Sequence, residues 1–114
     1  MRTFDSGATK DNDEDKFDYD GFLSPLVLQR YAEYMHKHRA QSDGKLRDSD
    51  NWQKGIPLTV YMKSLWRHFM DVWMWHRVPT LKPYLFRTLD SDEIEESLCA
   101  VIFNASGYLH EVLK

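Results

Sequence analysis

Residues 65 to 71, which read Leu65, Trp66, Arg67, His68, Phe69, Met70 and Asp71, interleave apolar side chains with three polar ones. On an α-helix His68 and Asp71 are three residues apart and share a face. A second acidic group, Asp92, Glu93, Glu95 and Glu96, opens the last apolar stretch of the chain. If the helices carrying these groups pack antiparallel, His68 or Asp71 approaches Glu95. Carboxylates converging on facing helices suit Mg²⁺ or Mn²⁺, hard cations that take oxygen ligands and bind substrate phosphates. The same residues also have structural readings. Asp92 and Glu93 favour a helix N-terminus, a His at the edge of an apolar stripe can simply pack, and Arg67 can pair with a surface carboxylate or with a phosphate.

A second constellation is Asp50, Asn51, Trp52, Gln53, Lys54 and Gly55. Trp52 could stack on a base, Asn51 could read its polar edge, and Lys54 could meet a phosphate. A loop anchored by a docked Trp is the alternative. Lys16, Phe17, Asp18 and Tyr19 form a weaker group, and Gly7, Thr9 and Lys10 could offer donors to an anion if the N-terminal arm folds over a site. The chain has no glycine-rich phosphate loop, no Gly-x-Ser-x-Gly, no paired-cysteine metal site and no His-Glu-x-x-His. His36 and His38 are two apart and are expected on different sides of a helix. Cys99 lacks an activating base nearby in the sequence and reads as a buried thiol.

The elements that position these residues are helical. Ser24-Pro25 gives an N-cap followed by proline at the first helical position, and Leu23, Val27, Tyr31 and Tyr34 keep a 3.6-residue period to about Arg39. Residues 41 to 55 form a long polar loop with Trp52 as its exception. A second helix runs from about Pro57 to Arg77, with Leu58, Tyr61, Met62, Leu65, Phe69 and Val72 as its stripe and Met70, Trp73 and Met74 making its other side apolar. Residues 78 to 89 read as an irregular connection, with Tyr84, Leu85 and Phe86 available for packing. Asp90 as N-cap and Glu93 three residues later open the last helix, with Leu89 and Ile94 spaced as a hydrophobic staple. Its stripe is Ile94, Leu98, Val101, Ile102, Ala105, Leu109 and Val112, with Cys99, Ala100, Phe103 and Gly107 opposite. No strand or internal repeat is evident.

Composition bounds the reading. The chain has 114 residues, enough for one domain and one core. Residues 1 to 20 form an acidic N-terminal arm with little apolar material to order it, and residues 21 to 114 form the domain. A net charge of −3 gives no positive field for duplex nucleic acid or anionic membrane. No apolar run is long enough to span a bilayer, and no signal sequence opens the chain. The single Cys99 fits a reducing cytoplasm. Four Trp, six Tyr and six Phe must mostly be buried, in the core or at a subunit interface.

Several segments, in order, resemble a known family: Gly7-Ala8-Thr9-Lys10-Asp11, Lys16-x-Asp18-Tyr19, Leu23-Ser24-Pro25, Asp50-Asn51-Trp52-Gln53-Lys54-Gly55-Ile56-Pro57, Trp66-Arg67-His68 and Phe103-Asn104. They resemble the dATP/dGTP diphosphohydrolases common in bacteriophages, a family similar to the MazG-like all-α nucleoside triphosphate pyrophosphohydrolases. The resemblance covers nearly the whole chain, and Asn-Trp-x-x-Gly and Arg-His are its most specific parts. It implies Mg²⁺- or Mn²⁺-dependent hydrolysis of a purine deoxynucleoside triphosphate to monophosphate and pyrophosphate. His68, Asp71 and Glu95 would be catalytic, and Asp71, Glu95 and Glu96 would hold the metal. Lys10, Lys16, Asn51, Trp52, Lys54, Arg67 and Asn104 would bind substrate. The chain departs from the MazG-like motifs: Arg67-His68-x-x-Asp71 stands where a Glu-Glu-x-x-Glu helix is expected, and Cys99, not Asp, follows Glu96 by three.

The expectation is therefore an all-α domain of three main helices with long loops, a homo-oligomer through its doubly apolar helices, resident in the cytoplasm, or in the bacterial host's if phage-encoded. The leading function is the pyrophosphohydrolase. The alternative is a non-catalytic phage-type module that binds a nucleotide or a host protein.

Overall fold

Two helices, α3 over Leu58–His76 and α5 over Ser91–Leu113, form the body of the protein. The computed structural model describes residues 1–81 and 89–114. Tyr84, Leu85 and Phe86, offered above for packing, lie outside the described residues. The start of α3 meets the second half of α5, where the Tyr61 and Phe103 rings are 5.9 Å apart. At the other end Phe69 and Trp73 share a cavity with Ile94 and Leu98. The pair is thus antiparallel, the arrangement that the sequence left as a condition. Among the described residues Tyr61, Ile94, Cys99 and Ala100 are the buried apolar side chains, and all lie on these two helices.

A close backbone approach fixes one end of the pair. Gly107 receives the edge of the Tyr61 ring, and a Cβ there would overlap ring atoms Cε1 and Cζ and stand 2.6 Å from the hydroxyl. Glycine at this position lets α3 seat its one fully buried aromatic directly against the backbone of α5. Among the described residues the Tyr61 hydroxyl has no hydrogen-bond partner, nor does Oε1 of Glu111 one turn further along α5.

Helix α2, Pro25–Lys37, lies against the first half of α5. Its start follows the sequence: Ser24 Oγ accepts from Val27 N–H at 3.3 Å, with Pro25 at the first position. Asp90 caps α5 in the same way, its Oδ1 accepting from Glu93 N–H at 2.8 Å. Each of the three main helices falls within two residues of its expected bounds.

Four short elements correct the sequence reading. The arm, expected without strands, carries an antiparallel pair, β1 (Arg2–Thr3) with β2 (Thr9–Lys10). Gly7, at φ 86°, makes its turn possible, and Phe4 N–H donates to the Ala8 carbonyl at 2.9 Å. Helix α1, Tyr19–Phe22, is a single turn capped by Asp18 Oδ1, which accepts from Gly21 N–H at 2.9 Å. Within the connection read as irregular, α4 covers Val78–Leu81. Pro79 is tolerated because a first-turn N–H would be unpaired in any case, and Leu81 N–H donates back to the Arg77 carbonyl at 3.0 Å. Among the described residues no helix is long and apolar enough to cross a membrane.

Candidate nucleotide cleft

Beyond α2 the chain does not wander through its polar loop. Arg47 N–H donates to the Arg39 carbonyl at 2.8 Å, Arg39 Nε donates to the Arg47 carbonyl at 2.7 Å, and Arg47 Nη1 donates to the His38 carbonyl at 3.0 Å. Ala40 and Leu46 pair across this ring, and Gly44, at φ 83°, closes it. The loop then enters a 3₁₀ turn over Asn51–Lys54. Trp52 docks from that turn onto α5, its ring 4.8 Å from that of His110 and nearly edge-on.

Between this loop and the end of α2 lies a cleft of about 480 Å³, a volume suited to a small ligand. Tyr34, Met35, His36 and His38 line it from α2, Arg39, Arg47, Asp48 and Ser49 from the loop, Asn51 and Trp52 from the 3₁₀ turn, and Phe103 from α5. The Tyr34 and His38 rings are 4.3 Å apart. His36 and His38 were expected on different sides of a helix, yet both face the cleft. The helix ends at Lys37, so His38 is already its cap and the helical spacing no longer applies. The cleft therefore combines aromatic faces, an amide and two guanidinium groups, each of which spends one N–H on the loop backbone.

Three carboxylates of the acidic head of α5, those of Asp92, Glu95 and Glu96, meet α2. Arg30 Nε donates to Glu95 Oε1 at 2.8 Å, and Arg30 Nη2 lies 3.6 Å from Asp92 Oδ1 and 3.9 Å from Glu96 Oε1. Lys37 Nζ donates to Glu96 Oε1 at 2.7 Å. The Lys37 hydrogen bond holds the Glu96 carboxyl below its ordinary range, against an opposing effect of burial. Arg30 and Lys37 are raised in turn, chiefly by their hydrogen bonds to Glu95 and Glu96. Glu96 Oε2 is buried without a hydrogen-bond partner among the described residues, with His38 Nε2 at 3.8 Å.

His68 is half-buried on α3, and burial pushes its imidazole below the ordinary value. The Asp71 charge opposes that shift, while Arg67 and His38 add to it. Arg67 Nη2 donates to Ser64 Oγ at 3.0 Å on its own helix. The expected approach of His68 or Asp71 to Glu95 is replaced by the Arg30–Glu95 pair. Among the described residues no three His, Cys, Asp or Glu side chains come close enough together to hold a metal ion.

The other expected binding residues divide. Asn51 and Trp52 line the cleft. Lys54, in the same turn, stands 3.9 Å from Asp48 and is not among the residues lining the cleft. Lys10 sits in β2, and Lys16 lies 3.9 Å from Asp13 within the arm, so neither lines the cleft. Asn104 is buried, its Nδ2 donating to the Ala100 carbonyl at 2.8 Å inside α5. Cys99 is buried, as expected, and burial raises its thiol above the ordinary value. Arg30, Tyr34, Lys37, His38, Arg39 and Arg47 were missed. Arg30 and Lys37 are seven apart and so share a face of α2, a signal that could have matched them to Asp92, Glu95 and Glu96, at spacings of three and four on α5.

Compared with protein-family models, with curated proteins and with solved structures, the chain shows no significant match to any.

Proposed function

We propose that the protein binds a purine deoxynucleoside triphosphate in the Trp52 cleft and hydrolyses it to the monophosphate and pyrophosphate with Mg²⁺ or Mn²⁺. The observation that carries this reading is the position of His38, which lines the cleft and also stands 3.8 Å from the Glu96 carboxylate. One residue joins a surface suited to a base with a carboxylate suited to the phosphate end. Trp52 would stack on the purine and Asn51 would hydrogen-bond its edge. Arg39 and Arg47 would take phosphate oxygens through planar forks that match them. Lys37 and Arg30 are further cations along the same path, with Arg67, Lys54, Lys10 and Lys16 as more distant sources of positive charge. His68, kept neutral by its burial, would orient a water or a phosphate oxygen.

Mg²⁺ commonly takes only one or two protein carboxylates beside the substrate's own phosphates. Glu96 fits that demand, since Oε1 carries the Lys37 hydrogen bond and the buried Oε2 has no hydrogen-bond partner. Glu96 would hold the ion, with Glu95 next to it in the chain. When bound, such an ion would neutralise triphosphate charge and lower the pKa of a water.

A second reading has its own support. Glu95 and Glu96 already accept hydrogen bonds from Arg30 and Lys37, which favours a non-catalytic module that binds a nucleotide without turnover. Thermal-shift titration with dATP and dGTP, with and without Mg²⁺, followed by an assay for released pyrophosphate, separates the two. Stabilisation with turnover supports the hydrolase, stabilisation alone the module, and no stabilisation by any purine nucleotide removes both.

A further inference from the structure

We propose that the exposed apolar face where α1 joins α2, centred on Phe17, Phe22 and Leu26, is a docking surface for a cationic amphipathic helix of another protein. Every residue from Thr3 to Gln29 is exposed, yet the segment is folded. Lys16 N–H donates to the Asp13 carbonyl, Phe22 N–H to the Asp18 carbonyl and Leu23 N–H to the Tyr19 carbonyl, each at 3.0 Å. On this frame the Phe17 and Tyr19 rings meet edge to face, their centroids 6.2 Å apart. Phe17 and Phe22 are each 76% exposed, and Leu26, in the first turn of α2, is 78% exposed. Leu23, Val27 and Leu28 are exposed beside them. Apolar side chains that are ordered by their own backbone and cover nothing in the chain mark an interaction surface, already positioned for a partner.

Charge selects the occupant. Residues 11 to 20 hold Asp11, Asp13, Glu14, Asp15, Asp18 and Asp20 against one cation, Lys16. Asp13 is taken by Arg2 at 3.0 Å, and Asp18 caps α1. Asp11, Glu14, Asp15 and Asp20 have no ion pair among the described residues. The cations of α2 are spent elsewhere, Arg30 on Glu95 and Lys37 on Glu96. A partner must therefore bring lysine or arginine for the carboxylates and apolar side chains for Phe17, Phe22 and Leu26. An amphipathic helix carries those two sets on adjoining faces. Within the same arm a ring already takes a cation, since the Arg2 guanidinium lies 5.5 Å from the centroid of Phe4. A second copy of this chain matches the surface poorly, because its net charge of −3 repels the acidic segment. The surface shares no residue with the lining of the Trp52 cleft, so the inference stands apart from the nucleotide proposal.

Calorimetric titration of the full chain tests it with three probes: an amphipathic helical peptide of lysine and leucine, the same pattern with glutamate in place of lysine, and polylysine. The lysine–leucine peptide should bind tighter than either control by about tenfold or more, and should weaken by about tenfold as salt rises from about 0.05 M to about 0.5 M. Phe22→Ser, Leu26→Ser and the double variant Asp15→Asn with Asp20→Asn should each weaken that binding by about tenfold. Leu109→Ser, at an exposed position of α5, should leave it unchanged. None of the substituted arm residues is buried, so all these variants should keep the wild-type helical signal. No binding of the lysine–leucine peptide, equal binding of polylysine, or loss of binding in Leu109→Ser alone would overturn the inference. So would a Phe22→Ser or Leu26→Ser variant that loses its fold. A wild-type oligomer whose mass falls in either variant would overturn it as well, by giving the face to a second copy.

Discussion

His38 Nε2 lies 3.8 Å from the buried Oε2 of Glu96, and the same imidazole lines the cleft that holds Asn51 and Trp52. This pair is where the loop side of the molecule meets the acidic head of α5. On the proposed function, a base bound at Trp52 directs its phosphates past His38 toward Glu96. The first expectation follows at the base end. Trp52→Ala should weaken binding of dATP and dGTP by about 1–3 kcal/mol, the range for loss of one base–aromatic stack. Calorimetric titration reads the change, and the variant's far-UV spectrum checks that the contact of Trp52 with His110 is not needed for folding.

At the acidic head the prediction concerns pH. Glu96 is held below its ordinary value of 4.5, so its pairing with Lys37 contributes stability above that pH. That contribution is lost as pH falls through 4.5 toward the lower folded value, because the unfolded chain takes up the proton first. Wild-type Tm should therefore drop more steeply below pH 4.5 than that of Glu96→Gln. Parallel slopes for the two proteins would mean that the pair does not form in solution.

His68 offers an independent readout of its surroundings. Its imidazole should titrate below 6.5 by NMR, with burial as the main cause. Asp71→Asn should lower it further, because the Asp71 charge favours the imidazolium, and Arg67→Gln should raise it. For a histidine depressed in the folded state, stability falls as pH drops from 6.5 toward the folded value and is then level. An Asp71→Asn shift in the upward direction would place Asp71 away from His68.

Packing where the start of α3 meets α5 gives the sharpest stability contrast. Gly107→Ala pushes a methyl group into the Tyr61 ring and should cost about 1–3 kcal/mol in chemical denaturation. Tyr61→Phe should be neutral or stabilising, since it removes a buried hydroxyl that has no partner. A large loss in Tyr61→Phe would show that the hydroxyl is satisfied, with Glu111 as the nearest candidate.

The helices were legible because their signals are local. Ser24 and Asp90 each cap the third residue beyond them, and the stripes of α3 and α5 each survive for several turns without interruption. The antiparallel pairing entered only as a condition, since an apolar stripe does not specify the direction of the helix that covers it. The site was legible only where one segment carries it, as at Asn51 and Trp52. Arg39 and Arg47 reach the cleft through a ring of backbone hydrogen bonds between residues eight apart, which no periodicity announces. The β1–β2 pair was hidden because strands of two residues give no alternation to read. Glu95 was matched to α3 instead of α2 because its placement rested on which helices pack. The cations of α2 then settled its partner.

Release of pyrophosphate from dATP and dGTP is the most direct measurement of the central claim. With Mg²⁺ present, the wild-type chain should form the monophosphate and pyrophosphate in equal amounts. Glu96→Gln should lose at least ~100-fold in rate, as removal of a group stabilising transition-state charge does. No release from either nucleotide at saturating concentration, or undiminished release by Glu96→Gln, would contradict it.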